Sequence, residues 1–188
     1  MKIIGITGSI ASGKSTVAHL MARKKYPLFS ADTAVKDLYK EKKFIFKIKK
    51  IFNIKNKNIK NEIKKIIQTD SSKLRKLELI VHPLVRKKMK TFTTRNKKNK
   101  TLVYEIPLLI ESSLMRNFDT IWFVCAKKKI RLKRYIQKRK GLKSIFFILD
   151  KRQMSVKKKI KHSNKVIYNN GSLKKLKKDV SFLIKDYE

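Results

Sequence analysis

Gly8-Ser9-Ile10-Ala11-Ser12-Gly13-Lys14-Ser15 is a complete G-x-x-x-x-G-K-S sequence, and it starts within the first ten residues of the chain. Lys2-Ile3-Ile4-Gly5-Ile6-Thr7 ahead of it is short and apolar enough for a buried strand. Thr16-Val17-Ala18-His19-Leu20-Met21-Ala22 behind it has helical composition. Strand, glycine-bearing loop and helix thus follow in the order of a phosphate cradle. A chance glycine-rich turn between a core strand and a helix is the alternative, and the full pattern with its flanks argues against it.

The residue types follow from the chemistry. A loop that wraps a polyphosphate turns its backbone N–H groups inward, and glycine tolerates the dihedral angles and close approach this requires. Gly8 and Gly13 mark that turn. Lys14 has the reach for β and γ phosphates, the Ser15 hydroxyl suits a magnesium shell, and Thr16 adds a further hydroxyl. The helix that follows presents its positive end to the anion. The motif specifies a nucleotide and leaves the reaction open.

The chain has 188 residues, enough for one domain with a real core and a helical insertion. The first apolar strand follows Lys2 at once, so no leader peptide is expected, and no apolar run approaches the ~20 residues of a membrane span. A soluble, cytoplasmic protein is expected. The lone cysteine, Cys125, sits in the apolar run Ile121-Trp122-Phe123-Val124-Cys125-Ala126 and reads as a small buried hydrophobe more than as a reactive thiol. Lys plus Arg number 51 against 13 Asp plus Glu, a formal charge of +38. Such a surface suits nucleic acid. However, lysine dominates over arginine and is spread through almost every segment, as AT-rich coding bias would write it, so specific nucleic-acid binding is not expected.

Downstream, Pro27 to Asp32 reads as a second strand whose carboxyl end delivers an acid, where ligands sit in open α/β sheets. Asp32 serves equally as the cap of a helix over Thr33 to Lys40. Glu41 to Lys65 reads as helical with polar breaks near Asn53 to Asn58. Between Ser71 and Lys90, Leu74, Leu77, Ile80, Val81, Leu84, Val85 and Met89 recur at helical spacing, with a kink or break at Pro83. A basic loop is expected from Thr93 to Lys100. Thr101 to Pro107 reads as a third strand with Glu105 near its end, Thr120 to Ala126 as a fourth, and Lys127 to Arg139 as a basic helix carrying Arg131, Arg134 and Arg139. Gly141 marks a break before the apolar patch Ile145 to Leu149, which suits a flap. Val166 to Tyr168 is a fifth strand, and Ser172 caps a closing helix from Leu173 to Tyr187. Strands alternating with helices predict a parallel, doubly wound α/β sheet.

A phosphate loop, acids at the ends of the second and third strands, and an arginine-bearing helix before a flap together describe a small kinase. The chain resembles the dephospho-CoA kinases, the family that completes coenzyme A synthesis. The resemblance is carried by Thr7 to Thr16, Ser30-Ala31-Asp32, Leu77-Glu78 with His82-Pro83-Leu84-Val85, Pro107-Leu108-Leu109-Ile110-Glu111, Gln153, and Val166-Ile167-Tyr168-Asn169-Asn170-Gly171. It implies a single three-layer P-loop kinase domain over 1–188 with a parallel five-stranded sheet. The core would span 1–32 and 101–188, a helical acceptor-binding insertion 33–100, and a lid 138–150. It also implies ATP and Mg2+, dephospho-CoA as the small-molecule acceptor, transfer to its ribose 3′-hydroxyl, and a monomer or weak oligomer.

Carried over residue by residue, the resemblance makes Asp32 and Lys14 catalytic. Gly8, Ala11, Ser12, Gly13, Lys14, Ser15, Thr16, Arg139 and Asn169 become nucleotide-binding residues, and Ser15 the metal ligand. Asp32, His82 and Glu105 become acceptor-side residues. The bland readings are a packed helical residue for His82, a strand-end carboxylate for Glu105 and a turn residue for Asn169. Three departures are visible, one of them that the stretch between Asp32 and Ile66 is shorter than usual and lacks the family's glycine. The family's Arg-Asp at the start of the lid stands here as Lys138 and Arg139, and lysine cannot make arginine's bidentate phosphate contact. The Ala-Asp before the last strand stands as Ser163-Asn164. Another small-metabolite or nucleoside monophosphate kinase, or a basic nucleic-acid-binding protein with a vestigial loop, are the rival readings.

Overall fold

The structure, a computed structural model, describes residues 1–56, 58–139 and 143–185. In chain order its elements are β1 (Lys2–Gly8), α1 (Lys14–Arg23), β2 (Leu28–Ser30), α2 (Ala31–Leu38), α3 (Lys42–Phe52), α4 (Ile59–Thr69), α5 (Ser71–Arg95) and β3 (Thr101–Glu105). A single 3-10 turn (Met115–Asn117) precedes β4 (Thr120–Cys125), α6 (Lys128–Arg139), α7 (Lys143–Lys151), α8 (Val156–Lys161), β5 (Lys165–Tyr168) and α9 (Leu173–Ile184). The chain divides into two compact units, one formed by Met1–Ser30 with Asn96–Glu188, the other by Ala31–Arg95.

The first unit holds a five-stranded sheet in the order β2-β3-β1-β4-β5, with every pairing parallel. Every residue of β3 and β4 is buried, as continuous apolar strands covered on both faces must be. On one face Ile4, Ile6, Val103, Trp122, Val124 and Ile167 pack against Val17, Ala18 and Met21 of α1 and Leu176, Val180 and Ile184 of α9. On the other, Tyr104 meets Phe118 edge to face at 5.6 Å, and α8 packs on β4. The chain leaves β1 toward β2 and leaves β3 toward β4, so the order reverses at β1 and β3. In open α/β sheets that is where a crevice opens at the carboxyl ends of the strands.

The second unit is helical. Leu38, Phe44, Ile48, Phe52, Ile54, Ile59, Ile63 and Val81 form its core, drawn from α2 to α5. Asn53, at φ 51°, ends α3, and the Asn58 side chain accepts from the Asn61 N–H at the start of α4, so the polar break expected there separates two helices.

Several boundaries differ from the sequence reading. β2 ends at Ser30 and α2 begins at Ala31, which puts Asp32 in the first helical turn, a place the helix dipole favours for a carboxylate, instead of in the strand or at a cap before Thr33. α5 runs unbroken through Pro83 and on to Arg95, into the stretch expected as loop. Proline cannot donate to the Leu79 carbonyl one turn back, yet the helix continues where both residues are exposed, Leu79 to 69%. α8 was not anticipated. Ser172 does cap α9, accepting from the Lys175 N–H at 3.2 Å; Tyr187 and Gly141 lie outside the described residues.

Candidate active site

The loop between β1 and α1 is built around its two glycines. A Cβ on Gly8 would stand 2.5 Å from Ser12 Oγ and 2.7 Å from the Val124 carbonyl. Gly13 has φ 99° and a Cβ there would stand 2.2 Å from Asn169 Nδ2. Only glycine fits either place. The Ser12 N–H donates to the Ser9 carbonyl at 3.1 Å, closing the turn, and α1 begins at Lys14 with no side chain capping its N–H groups. A helix start without a side-chain cap suits an anion. Ser12 Oγ is buried and, among the described residues, has no hydrogen-bond partner. An orphaned hydroxyl in a glycine-bearing turn at a helix N-terminus fits a polyphosphate.

Two carboxyl-end contacts brace this loop against the sheet. Ser15 Oγ donates to Glu105 Oε1 at 2.5 Å, and Glu105, 3% exposed, ends β3. Thr7 Oγ1 donates to the Pro107 carbonyl at 3.0 Å. The Ser15 hydroxyl and the Glu105 carboxylate together give two oxygen donors beside the phosphate cradle. That set suits magnesium, which takes one or two protein oxygens and fills the rest of its octahedron with phosphate and water.

A third brace comes from the end of β5. Asn169, 7% exposed, donates its backbone N–H to the Cys125 carbonyl at 2.7 Å, and its Nδ2 donates to the Ser12 carbonyl at 2.9 Å. Arg134 of α6 donates to the Asn169 carbonyl at 2.9 Å and to its Oδ1 at 3.4 Å. Around these groups opens a cavity of about 500 Å3, lined among others by Lys14, Ser15, Thr16, Arg134, Asn169 and Leu173. That volume lies within the range of small-ligand sites, roughly 300–1,000 Å3.

The structure therefore gathers Gly8, Ala11, Ser12, Gly13, Lys14, Ser15, Thr16, Glu105 and Asn169 into one place. Asp32 is exposed on α2, and His82 is exposed on α5; both belong to the Ala31–Arg95 unit. Arg139 closes α6, but its side chain and that of Lys138 lie outside the described residues. Cys125 is buried in β4 and burial pushes its thiol above the ordinary range, against the lowering influence of Arg131. Arg134 was not singled out from the sequence as a site residue. The available signal was its place one turn after Arg131 on the same basic helix, a pattern that a solvated face shares.

The family model for dephospho-CoA kinase matches residues 2–175. The chain belongs to the dephospho-CoA kinase family. Its sequence is 36% identical to the dephospho-CoA kinase of Bartonella henselae, over 98% of this chain and 97% of the relative, and 35% identical to that of Fusobacterium nucleatum, over 95% and 94%. The dephospho-CoA kinase of Campylobacter jejuni superposes with a TM-score of 0.72 at 27% identity, covering 99% of this chain and 97% of the other. A Thermus thermophilus protein of known structure superposes at 0.84 with 26% identity, covering 100% and 98%. A shikimate kinase of Bacteroides thetaiotaomicron, 9% identical with a TM-score of 0.55 over 98% of this chain and 96% of the other, shares the fold alone. As a dephospho-CoA kinase, the chain is an ATP-dependent phosphotransferase on a P-loop scaffold. Asn164, which stands where the resemblance leads one to expect Asp, bonds β4: its Oδ1 accepts from the Ile121 N–H at 2.8 Å and its backbone N–H donates to the Ile121 carbonyl at 2.9 Å.

Proposed function

We propose that this chain transfers the γ-phosphate of ATP to the ribose 3′-hydroxyl of dephospho-CoA, giving CoA and ADP, with Asp32, Lys14, Ser15 and Glu105 as the principal side chains. The observation that supports this most is the Ser15–Glu105 pair beside a braced phosphate cradle, in a chain matched to the family over residues 2–175. The Bartonella and Fusobacterium relatives are dephospho-CoA kinases, which supports dephospho-CoA as the acceptor.

Phosphoryl transfer asks a protein mostly to position groups and to stabilise charge. Lys14 meets the charge that grows on the transferred group, and the loop N–H groups hold the phosphates in register. Ser15 and Glu105 would hold magnesium, which would supply positive charge to offset the negative charge of the phosphates. Asp32 orients the acceptor hydroxyl and takes its proton. His82 belongs to the acceptor side, Asn169 to the nucleotide side, and Arg139 supplies the lid cation. No helix among the described residues is long and apolar enough to cross a membrane. We take the protein to work in the cytoplasm as a monomer or weak oligomer.

ADP release is the test, with MgATP and dephospho-CoA, beside a panel of nucleosides, nucleoside monophosphates and shikimate. Turnover should require dephospho-CoA. Lys14→Ala and Asp32→Asn should each lower kcat by about 100-fold or more, the scale of a lost charge stabiliser or proton acceptor. ATP binding without stimulation by dephospho-CoA, or full activity in Asp32→Asn, would overturn the assignment.

A further inference from the structure

Ile10 stands at the tip of the phosphate loop, and both of its peptide groups are held from outside the loop. Its N–H donates to Gln153 Oε1 at 3.0 Å. Its carbonyl accepts from Arg131 Nη1 at 3.5 Å. The next residue, Ala11, has φ 57°, a left-handed conformation that a side chain disfavours. The two successive peptides on either side of Ile10, just ahead of the strained Ala11, are therefore pinned, one by the chain after α7 and the other by α6.

Each pin is itself anchored. Arg131 is 4% exposed; its Nε donates to the Ala126 carbonyl at 3.0 Å, its Nη1 bonds Asp150 Oδ1 at 2.5 Å, and Lys128 reaches the other Asp150 oxygen at 3.3 Å. Gln153 is followed by Met154, whose N–H donates to Glu111 Oε1 at 3.1 Å. That same oxygen lies 2.7 Å from Nζ of Lys159, a fully buried lysine of α8. The ammonium is in ion contact without hydrogen-bond direction, so Coulomb attraction holds the pair. A buried lysine and glutamate are expensive to desolvate and keep their place only when paired. Their position helps hold α8, a helix of six residues whose apolar side is only Val156 and Ile160.

We infer that Gln153 is a positioning residue for the phosphate site: its side-chain oxygen, together with Arg131, holds the Ser9–Ile10 and Ile10–Ala11 peptides in the orientation that turns the following loop N–H groups onto the nucleotide phosphates. The inference rests on reading Gly8 to Ser15 as the nucleotide loop of this kinase. It goes beyond the motif, since no residue of G-x-x-x-x-G-K-S supplies the acceptor for the Ile10 N–H. Loss of the Gln153 oxygen leaves that N–H unpaired and free to turn inward, so the defect appears in nucleotide binding and not at the acceptor.

The test compares wild type, Gln153→Met, Gln153→Glu and the core control Val180→Ala. Methionine keeps the length of the side chain and removes the acceptor, whereas glutamate keeps the acceptor beside the Arg131 cation. The Kd of MgADP, measured calorimetrically without any acceptor, should rise at least tenfold in Gln153→Met and stay within threefold of wild type in Gln153→Glu. Val180→Ala should lower Tm and leave Kd unchanged. In steady state, KM for MgATP should rise in Gln153→Met while KM for dephospho-CoA holds. Hydrogen exchange on the wild type should show the Ile10 amide at least 100-fold slower than a free peptide. An Ile10 amide that exchanges freely overturns the proposal even if no variant folds. So does wild-type ADP affinity in Gln153→Met, or an equal loss in the methionine and glutamate variants, which would make the residue a packing element. Because ADP binding needs no acceptor, a wild type inert toward dephospho-CoA defeats the functional reading and leaves this comparison standing.

Discussion

Glu105 shows how one residue's chemistry is decided by its neighbour. At the end of a strand, nearly sealed from water, a polar group needs a hydrogen-bond partner, and the partner here is the hydroxyl of Ser15. The pairing supports the proposal that Glu105 serves the metal side of the phosphate cradle, where the resemblance implied the acceptor side. Glu105→Gln keeps an oxygen for Ser15 and removes the charge that supports a bound cation. Loss of such a supporting group weakens metal affinity by about 10–100-fold. Initial rates titrated with free Mg2+ at saturating dephospho-CoA should therefore need about tenfold more metal for half-maximal activity, with activity largely recovered at high Mg2+. A mutant that follows the wild-type Mg2+ curve while KM for dephospho-CoA rises would return Glu105 to the acceptor side.

Among the elements, α6 and α7 are joined by one buried ion pair. Burial by itself raises the Asp150 carboxyl, but the hydrogen bond and charge of Arg131, with those of Lys128, outweigh it and hold Asp150 below the ordinary carboxylate range. A carboxylate lowered in the folded state contributes stability that is fully present above its unfolded value, about 3.9, and that is lost as pH falls through the lower folded value. Melting curves should be insensitive to this pair from pH 7 down to about 5 and lose its contribution only below about 4. Asp150→Asn should be less stable than wild type at pH 7, with the gap closing toward pH 3; a gap that stays constant with pH would mean the aspartate stabilises by packing alone. Elements of this kind also mark what a sequence can disclose. The loop from Gly8 to Ser15 is legible because polyphosphate chemistry restricts its residues one by one, and the strands are legible because a covered parallel sheet needs continuous apolar runs. The passage of α5 through Pro83 was not legible, since proline reads as a helix breaker and its tolerance here goes with the exposed setting of Leu79 and Pro83. Nor was α8, four of whose six residues are lysine: it is held by Lys159 reaching Glu111, a contact across 48 positions of sequence that no local period reports. The service of Gln153 to Ile10 spans 143 positions and is hidden for the same reason.

For the molecule as a whole, the excess of 51 basic over 13 acidic side chains means that most cations have no acidic side chain to face, whatever pairs do form. Several of the pairs are solvated contacts within one helix, such as Lys65 with Glu62 and Lys175 with Asp179, of the kind worth under about 1 kcal/mol. The exposed faces of α8 and α9 carry Lys157, Lys158 and Lys161, and Lys174, Lys175, Lys177 and Lys178, with Asp179 the one acid on either helix. Self-repulsion thus outweighs attraction across the surface, and a net charge of this size destabilises the compact state. Salt acts on that balance directly, since the screening length falls from about 30 Å at 0.01 M to about 10 Å at 0.1 M. Where attraction dominates a surface, added NaCl lowers Tm; here it should raise Tm over that interval, while weakening MgATP binding through the screened field around the phosphates. The same field attracts RNA without reading it, so bound RNA should be shed before 0.2 M salt, with log K falling linearly against log salt. Thermal melts and RNA titrations along one NaCl series decide the matter together. A Tm that falls with salt would show that ion pairs dominate after all, and RNA retained above 0.2 M would show that the lysines form a dedicated binding face and not a diffuse coat.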